Sequence, residues 1–201
     1  MNWDELVQQV QSGQVVIYPT ETFYALGCMS THSGAVKEIF RIKARNTAKS
    51  LPLIVSDWNM VEAFVRLDQY ALDLAQQFWP GPLSLIVPVA ESICAQACGV
   101  DGRAAVRMSP HPVAKALCQA VGAPLVATSA NWSGQEPACT PHALADFLAA
   151  HSGVLCLADR PWPAGGLPST VVEVCGPNQV RMVRHGAVSA SALAQAGYAC
   201  M

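Results

Sequence analysis

Charge is scarce in this chain of 201 residues: 13% are Asp, Glu, Lys or Arg against 52% hydrophobic, and the formal net charge is -2. A large core is therefore expected, because a chain of this length can remove about 70% of its unfolded surface from water in one domain, read here as residues 1–201. Long apolar runs are missing too. None approaches the ~20 residues of a membrane span, since the longest candidates are broken by Pro82 and Pro88 or by Lys115 and Gln119. A soluble protein with no membrane association is expected, despite a positive mean hydropathy. The opening Asn2-Trp3-Asp4-Glu5 has acids where a secretory signal carries cations and no apolar segment behind them, which predicts a cytoplasmic protein.

Sequences that would declare a mechanism are absent as well. The eight cysteines form no Cys-x-x-Cys pair and no Cys/His cluster at zinc-finger spacing, so no protein-built metal site is expected and most are read as small core residues in a reducing compartment. Cys94 and Cys98, at i and i+4, are the one pair that a helix would bring to a common face. There is no Gly-x-Ser-x-Gly elbow, and His111 stands between prolines without a triad-like setting, which excludes a serine-hydrolase mechanism. Without a Walker A or Gly-x-Gly-x-x-Gly sequence, P-loop and dinucleotide-binding folds are excluded too. Any chemistry has to rest on positioning and charge stabilisation, the means by which phosphoryl and nucleotidyl transfer are largely catalysed.

What is present centres on residues 15–49. Val15 to Tyr18 are β-branched or aromatic, bounded by Gly13 and Pro19, and read as a short buried strand that must leave its sheet at the proline. Thr20, Glu21 and Thr22 stand at its end, where open α/β sheets place their ligands. A helix over roughly His32 to Ile42 follows, and between Lys37 and Lys49 lie five of the 12 Lys and Arg residues, opposed only by Glu38. Two readings of this run are open: an anion site for phosphates, or a solvated helix face.

Further along, apolar runs predict strands at Leu51 to Val55, Leu83 to Val87, Ala104 to Val106, Pro124 to Thr128 and Val154 to Leu157. A hairpin is expected from Ser169–Val174 and Gln179–Val183. Helices are predicted over Trp3 to Val10, Asp68 to Phe78, Val113 to Val121, Ala143 to Ala150, with Thr140 as cap and Pro141 at its first position, and Ala187 to Ala196. Hairpins and crossovers intermingle, so the expected class is α/β, a mixed parallel and antiparallel sheet flanked by helices. Strand ends deliver hydroxyls at Thr20, Thr22, Ser129 and Ser169 and guanidiniums at Arg45, Arg107 and Arg184. Arg107 reads equally as a surface strand end or an anion clamp, and the Ser129 to Gly134 loop as a turn or a binding loop.

Seven segments carry a resemblance in order: Tyr18-Pro-Thr-Glu-Thr-Phe-Tyr-Ala-Leu-Gly27; Lys43-Ala-Arg45 with Lys49; Pro80-Gly-Pro-Leu-Ser84; Arg107 with His111-Pro112; Ser129-Ala-Asn-Trp-Ser-Gly134; Ser169-Thr-Val-Val172; and Arg184-His-Gly186. Together they resemble the YrdC/TsaC family of threonylcarbamoyl-AMP synthases in its short form. The resemblance implies a twisted mixed sheet around a large electropositive cavity, and a reaction in which L-threonine, bicarbonate and ATP give threonylcarbamoyl-AMP and pyrophosphate. That product feeds a downstream tRNA threonylcarbamoyl transferase, which modifies adenosine 37. It further implies that Thr22, Arg107 and Ser169 hold threonine, that Lys43, Arg45, Lys49, Ser129, Asn131 and Arg184 hold ATP, that Lys43 and Arg45 are catalytic, and that Mg2+ accompanies the ATP. The sequence departs from the family pattern at Ala25, where a glycine is usual, at Asn46 and Ser50, which replace prolines, and at Ser109-Pro110. These changes bear on loop stiffness more than on charge. The alternatives are a carbamoyl-AMP-forming enzyme and a module that binds RNA, including tRNA, on the same basic concavity. A net charge of -2 argues against extensive contact with a phosphate backbone.

Overall fold

A computed structural model describes residues 2–47, 49–132 and 134–201. Met1, Ala48 of the cationic run and Ser133 of the Ser129 to Gly134 loop lie outside the described residues. Helix α1 (Trp3–Gln11) starts in a capping box, the Asn2 side chain accepting from the Glu5 amide while the Glu5 carboxylate accepts from the Asn2 amide. Strand β1 (Val16–Pro19) then pairs antiparallel with β2 (Tyr24–Gly27) across the turn that holds Thr20 and Thr22. Helix α2 (Ser33–Lys43) buries Val36, Ile39 and Phe40 and ends at Ala44, whose φ of 44° is left-handed. For a residue with a Cβ that conformation costs about 1–2 kcal/mol. It swings the chain off the helix so that Arg45 leaves in a new direction.

There follow β3 (Leu53–Val55), α3 (Trp58–Phe64), α4 (Gln69–Phe78), β4 (Leu83–Pro88), β5 (Arg103–Met108), α5 (Pro112–Val121), β6 (Leu125–Val126) and β7 (Thr128–Ser129). Beyond them come α6 (Ala145–Ala150), β8 (Leu155–Cys156), β9 (Thr170–Gly176), β10 (Gln179–Arg184), α7 (Ala190–Gln195) and β11 (Ala199–Cys200). The class is the expected mixed α/β, with its strands divided between two sheets, ordered β7-β2-β1-β8 and β11-β10-β9-β4-β5-β3-β6. One hydrophobic cluster runs from Leu6 to Tyr198 through both. No helix among the described residues is long and apolar enough to cross a membrane.

Where the two sheets meet, the segment read as a single strand over Pro124 to Thr128 is two. Leu125 and Val126 pair with β3, Thr128 and Ser129 pair with β2, and the Ala127 amide between them is drawn to the Pro52 carbonyl at 2.8 Å. An apolar run carries no mark of a change of sheet. The crossing is tight: a Cβ on Gly27 would lie 2.0 Å from the Val126 carbonyl oxygen, which also accepts from the Tyr18 hydroxyl at 2.7 Å.

Other expectations are corrected locally. Strand β5 continues to Met108, so Arg107 sits inside a strand, beside Ile54 of β3, and not at a strand end. The helix expected from Ala143 begins as a 3-10 turn, His142–Leu144, and is α-helical only from Ala145, although the Ala143 amide still reaches the Thr140 hydroxyl at 3.4 Å. Cys94 and Cys98 flank a single 3-10 turn, Ala95–Ala97, instead of sharing an α-helical face, and burial raises both thiol pKa values. Helix α3 and strand β11 have seven and two residues, too short to declare a periodicity.

Candidate functional site

A cavity of about 700 Å³ is lined from both sheets, within the range usual for small-molecule sites. Its floor is one face of the larger sheet, where Ala105 and Arg107 alternate along β5 and Ile86 stands across from Ala105. The small side chain of Ala105 leaves depth. Thr20, Thr22 and Tyr24 form a wall from the smaller sheet and its turn, and Ser129 closes that side from β7. On β10 the register slips, Met182 facing Val172 and Arg184 facing Val171, so that one extra residue sits opposite β9. Such a bulge re-aims side chains, and here Val183 and Arg184 both reach the lining. Gly186 is required just beyond: a Cβ there would lie 2.2 Å from the Pro168 carbonyl oxygen.

Four cations line the cavity, Arg45, Lys49, Arg107 and Arg184, and among the described residues no Asp, Glu or His does. Arg107 is almost entirely buried and donates from Nε to Glu21 Oε1 at 2.7 Å; Glu21 Oε2 accepts from Ser109 Oγ at 2.6 Å. The terminal nitrogens of Arg107 have no partner among the described residues. Arg45 donates to the Ser50 carbonyl at 2.8 Å, while its buried Nε has no partner there either. Burial lowers the pKa of Arg45, and burial together with the charges of Arg107 and Arg45 lowers that of Arg184; guanidiniums nonetheless stay charged. With three of the four cations lacking an acid beside them among the described residues, and Arg107 sharing Glu21 through one nitrogen only, the lining is suited to an anion.

The structure brings Thr22, Ser129 and Ser169 to the cavity together with these four cations. Lys43 and Asn131 do not line it. Lys43 is buried behind Ser129 and donates to the Ser129 carbonyl at 2.9 Å, to the Asn131 carbonyl, and to Asn131 Oδ1 at 2.9 Å. Burial, and then the Arg45 charge, lower its pKa to about 8. Asn131 Oδ1 also accepts from the Ser129 hydroxyl at 2.6 Å, so both residues act on the cavity through Ser129. Lys37 and Arg41 of the same cationic run are exposed, Arg41 forming a bidentate pair with Glu38.

Several residues beside the cavity were given no role by sequence. Glu21 and Ser109 fix Arg107, and only the placing of Glu21 at the end of β1 hinted at it. Tyr24 lines the cavity with a buried hydroxyl that has no partner among the described residues, its pKa pushed up to about 12 chiefly by burial. His111 Nε2 lies 3.1 Å from the Pro161 carbonyl, and the Gly165 amide donates to the Thr22 carbonyl at 2.9 Å. These two bonds tie the 157–168 segment beside the cavity. No group of three or more His, Cys, Asp or Glu able to hold a metal occurs among the described residues. A divalent cation would meet no carboxylate on the lining among the described residues.

The model of the Sua5/YciO/YrdC family, described as telomere recombination, matches residues 8–186. Sua5 of P. abyssi in complex with L-threonine is 29% identical, with a TM-score of 0.86 over 95% of this chain and 56% of that one; a second Sua5 structure matches over 58% of its length. The chain therefore spans less than two thirds of these relatives. MTH1692 from Methanobacterium thermoautotrophicum is 30% identical, with a TM-score of 0.63 over 85% of this chain and 79% of that one. YciO of E. coli shares the fold at a TM-score of 0.79 and 24% identity, over 94% and 91%.

Proposed function

The chain belongs to the Sua5/YciO/YrdC family, and on that premise we propose that it is a threonylcarbamoyl-AMP synthase, a nucleotidyltransferase that joins L-threonine, bicarbonate and ATP and releases pyrophosphate. The observation that carries the reading is a cavity with four cations and no acid in a protein whose net charge is -2. Such a cavity suits a triphosphate and a carboxylate held side by side. In this reading the unpartnered nitrogens of Arg107 take the threonine carboxylate, with Thr22 and Ser169 orienting the rest. Arg45, Lys49, Arg184 and Ser129 take ATP, while Lys43 and Asn131 hold the Ser129 loop. The P. abyssi Sua5 bound to L-threonine supports an amino acid of this class as substrate.

The threonine amine and bicarbonate combine to a carbamate with loss of water, a carbamate oxygen attacks the α-phosphorus, and pyrophosphate leaves. With no Asp, Glu or His on the lining, the protein's part is to align the reactants and neutralise charge on the departing phosphates. Mg2+ would enter as part of the nucleotide, and the product would pass to a tRNA-modifying transferase. The test is mass-spectrometric detection of threonylcarbamoyl-AMP from purified protein with threonine, bicarbonate and Mg-ATP, alongside pyrophosphate release. Threonine-dependent release is expected. Release that needs carbamoyl phosphate and ignores threonine would favour carbamoyl-AMP formation instead, and no release with either would overturn the enzymatic reading.

A further inference from the structure

Ser84 ends the Pro80-Gly-Pro-Leu-Ser84 motif, yet it is fully buried and does not line the cavity. It stands on β4 beside Val171 of β9, two residues before Ile86 and so on the same face of the sheet. Among the described residues its hydroxyl has one partner, Ser169 Oγ at 3.1 Å, and Ser169 does line the cavity. We infer that Ser84 is a positioning residue that makes the Ser169 hydroxyl an obligatory hydrogen-bond donor to the cavity, restricting its occupant there to an oxygen acceptor such as a carboxylate oxygen of threonine. The threonine part rests on the function proposed above; the donor assignment does not.

The argument is a count of protons. A guanidinium can only donate, so Ser169 Oγ accepts from Arg184 Nη2, 2.8 Å away. Were Ser169 also to donate to Ser84, the Ser84 proton would be buried with no acceptor among the described residues, an arrangement that is disfavoured. Ser84 therefore donates. Both acceptor positions of Ser169 Oγ are then filled, by Ser84 and Arg184, and what remains is its own proton, directed to the cavity. Arg184 prevents escape by rotation of the backbone, since its Nε and Nη2 hold the Ser169 carbonyl at 3.0 and 2.7 Å. An ammonium group, which only donates, is refused at this position, and an oxygen is accepted.

The experiment titrates L-threonine and ATP separately by calorimetry into the wild type, Ser84→Ala, Ser84→Thr, Ser169→Ala and the double variant Ser84→Ala/Ser169→Ala, with thermal melts of each. One hydrogen bond's worth of orientation predicts threonine binding weakened roughly three- to tenfold in Ser84→Ala, with ATP binding and melting temperature held. Ser84→Thr should restore threonine binding. The double variant should match Ser169→Ala, because Ser84 acts only through that hydroxyl. Unchanged threonine binding in Ser84→Ala, a parallel loss of ATP binding and melting temperature, or a further loss on top of Ser169→Ala would each overturn the inference. Proton NMR of the ligand-free protein supplies the independent reading: a slowly exchanging Ser84 hydroxyl resonance is expected, abolished by Ser169→Ala. Its absence in the wild type would sink the donor assignment. Its presence, in a protein that binds no threonine, would sink the substrate reading alone.

Discussion

The cations of this protein fall into two groups that sequence does not separate. On the outside Arg41 pairs with Glu38, and away from the cavity Arg103 and Arg181 converge on the half-buried Glu173. Around the cavity, Arg45 and Arg184 have no acid beside them, and Arg107 shares one, Glu21, by a single nitrogen. A surface pair is satisfied by its neighbour and screened by water, and is worth about 0–1 kcal/mol. A sheltered guanidinium with open donors is held ready for an anion that has yet to arrive. One run, 37–49, contributes to both groups: Lys37 and Arg41, four apart on α2, look outward, while Lys43, two further on, turns inward.

The sharpest way to break this division is at Arg107. Arg107→Ala should weaken threonine binding roughly ten- to a hundredfold, since hydrogen bonds to charged groups are worth about 1.5–3 kcal/mol. It also strands Glu21, so the control is Glu21→Gln, which loses the same ion pair but keeps the arginine. Threonine titrations should show the large loss only in Arg107→Ala, with a smaller loss in Glu21→Gln; equal losses would mean that Arg107 is structural.

Next in size is Arg45→Ala, expected to weaken ATP binding by about tenfold while leaving threonine binding within about twofold. Arg45→Lys should recover only part of it, because an ammonium cannot supply a planar fork. Full recovery in a nucleotide titration would make Arg45 a mere point charge. A smaller, pH-dependent effect is expected from Lys43, whose pKa burial lowers to about 8. The folded protein releases that proton before the unfolded chain does, so this residue's contribution to stability rises with pH between about 8 and the ordinary lysine value, and is lost as pH falls through 8. ATP binding should move the other way, weakening severalfold from pH 7 to 9.5 as the charge behind Ser129 disappears. Lys43→Arg should flatten that profile, and an unchanged slope in the variant would clear Lys43 of the role. The smallest effect is expected at Arg41→Ala: no measurable change in a denaturant melt and none on ATP titration.

Local chemistry was legible in the sequence where neighbours along the chain decide it. Apolar runs and their breakers located most strands, and the phase of α2 would have sorted Lys37 and Arg41 from Lys43. Of the nine site residues named from the ordered motifs, seven line the cavity, and Lys43 and Asn131 stand behind it. What could not be read was pairing at a distance. Glu21 and Arg107 are 86 residues apart, Ser84 and Ser169 85, and nothing in the spelling of either member points to the other. The change of sheet at Ala127 was hidden for a related reason: Leu125 to Ala127 run on as one apolar stretch into Thr128, and only the partners of the two halves differ.

That seam has a mechanical meaning. Three residues, Val126 to Thr128, connect a strand of one sheet to a strand of the other, with Tyr18 clamped onto one end and Gly27 pressed against it. Sliding one sheet past the other would shear these pairs before it widened the space between them. The spacing of the two walls of the cavity is consequently set by this crossing, and an occupant has to fit the space that it leaves.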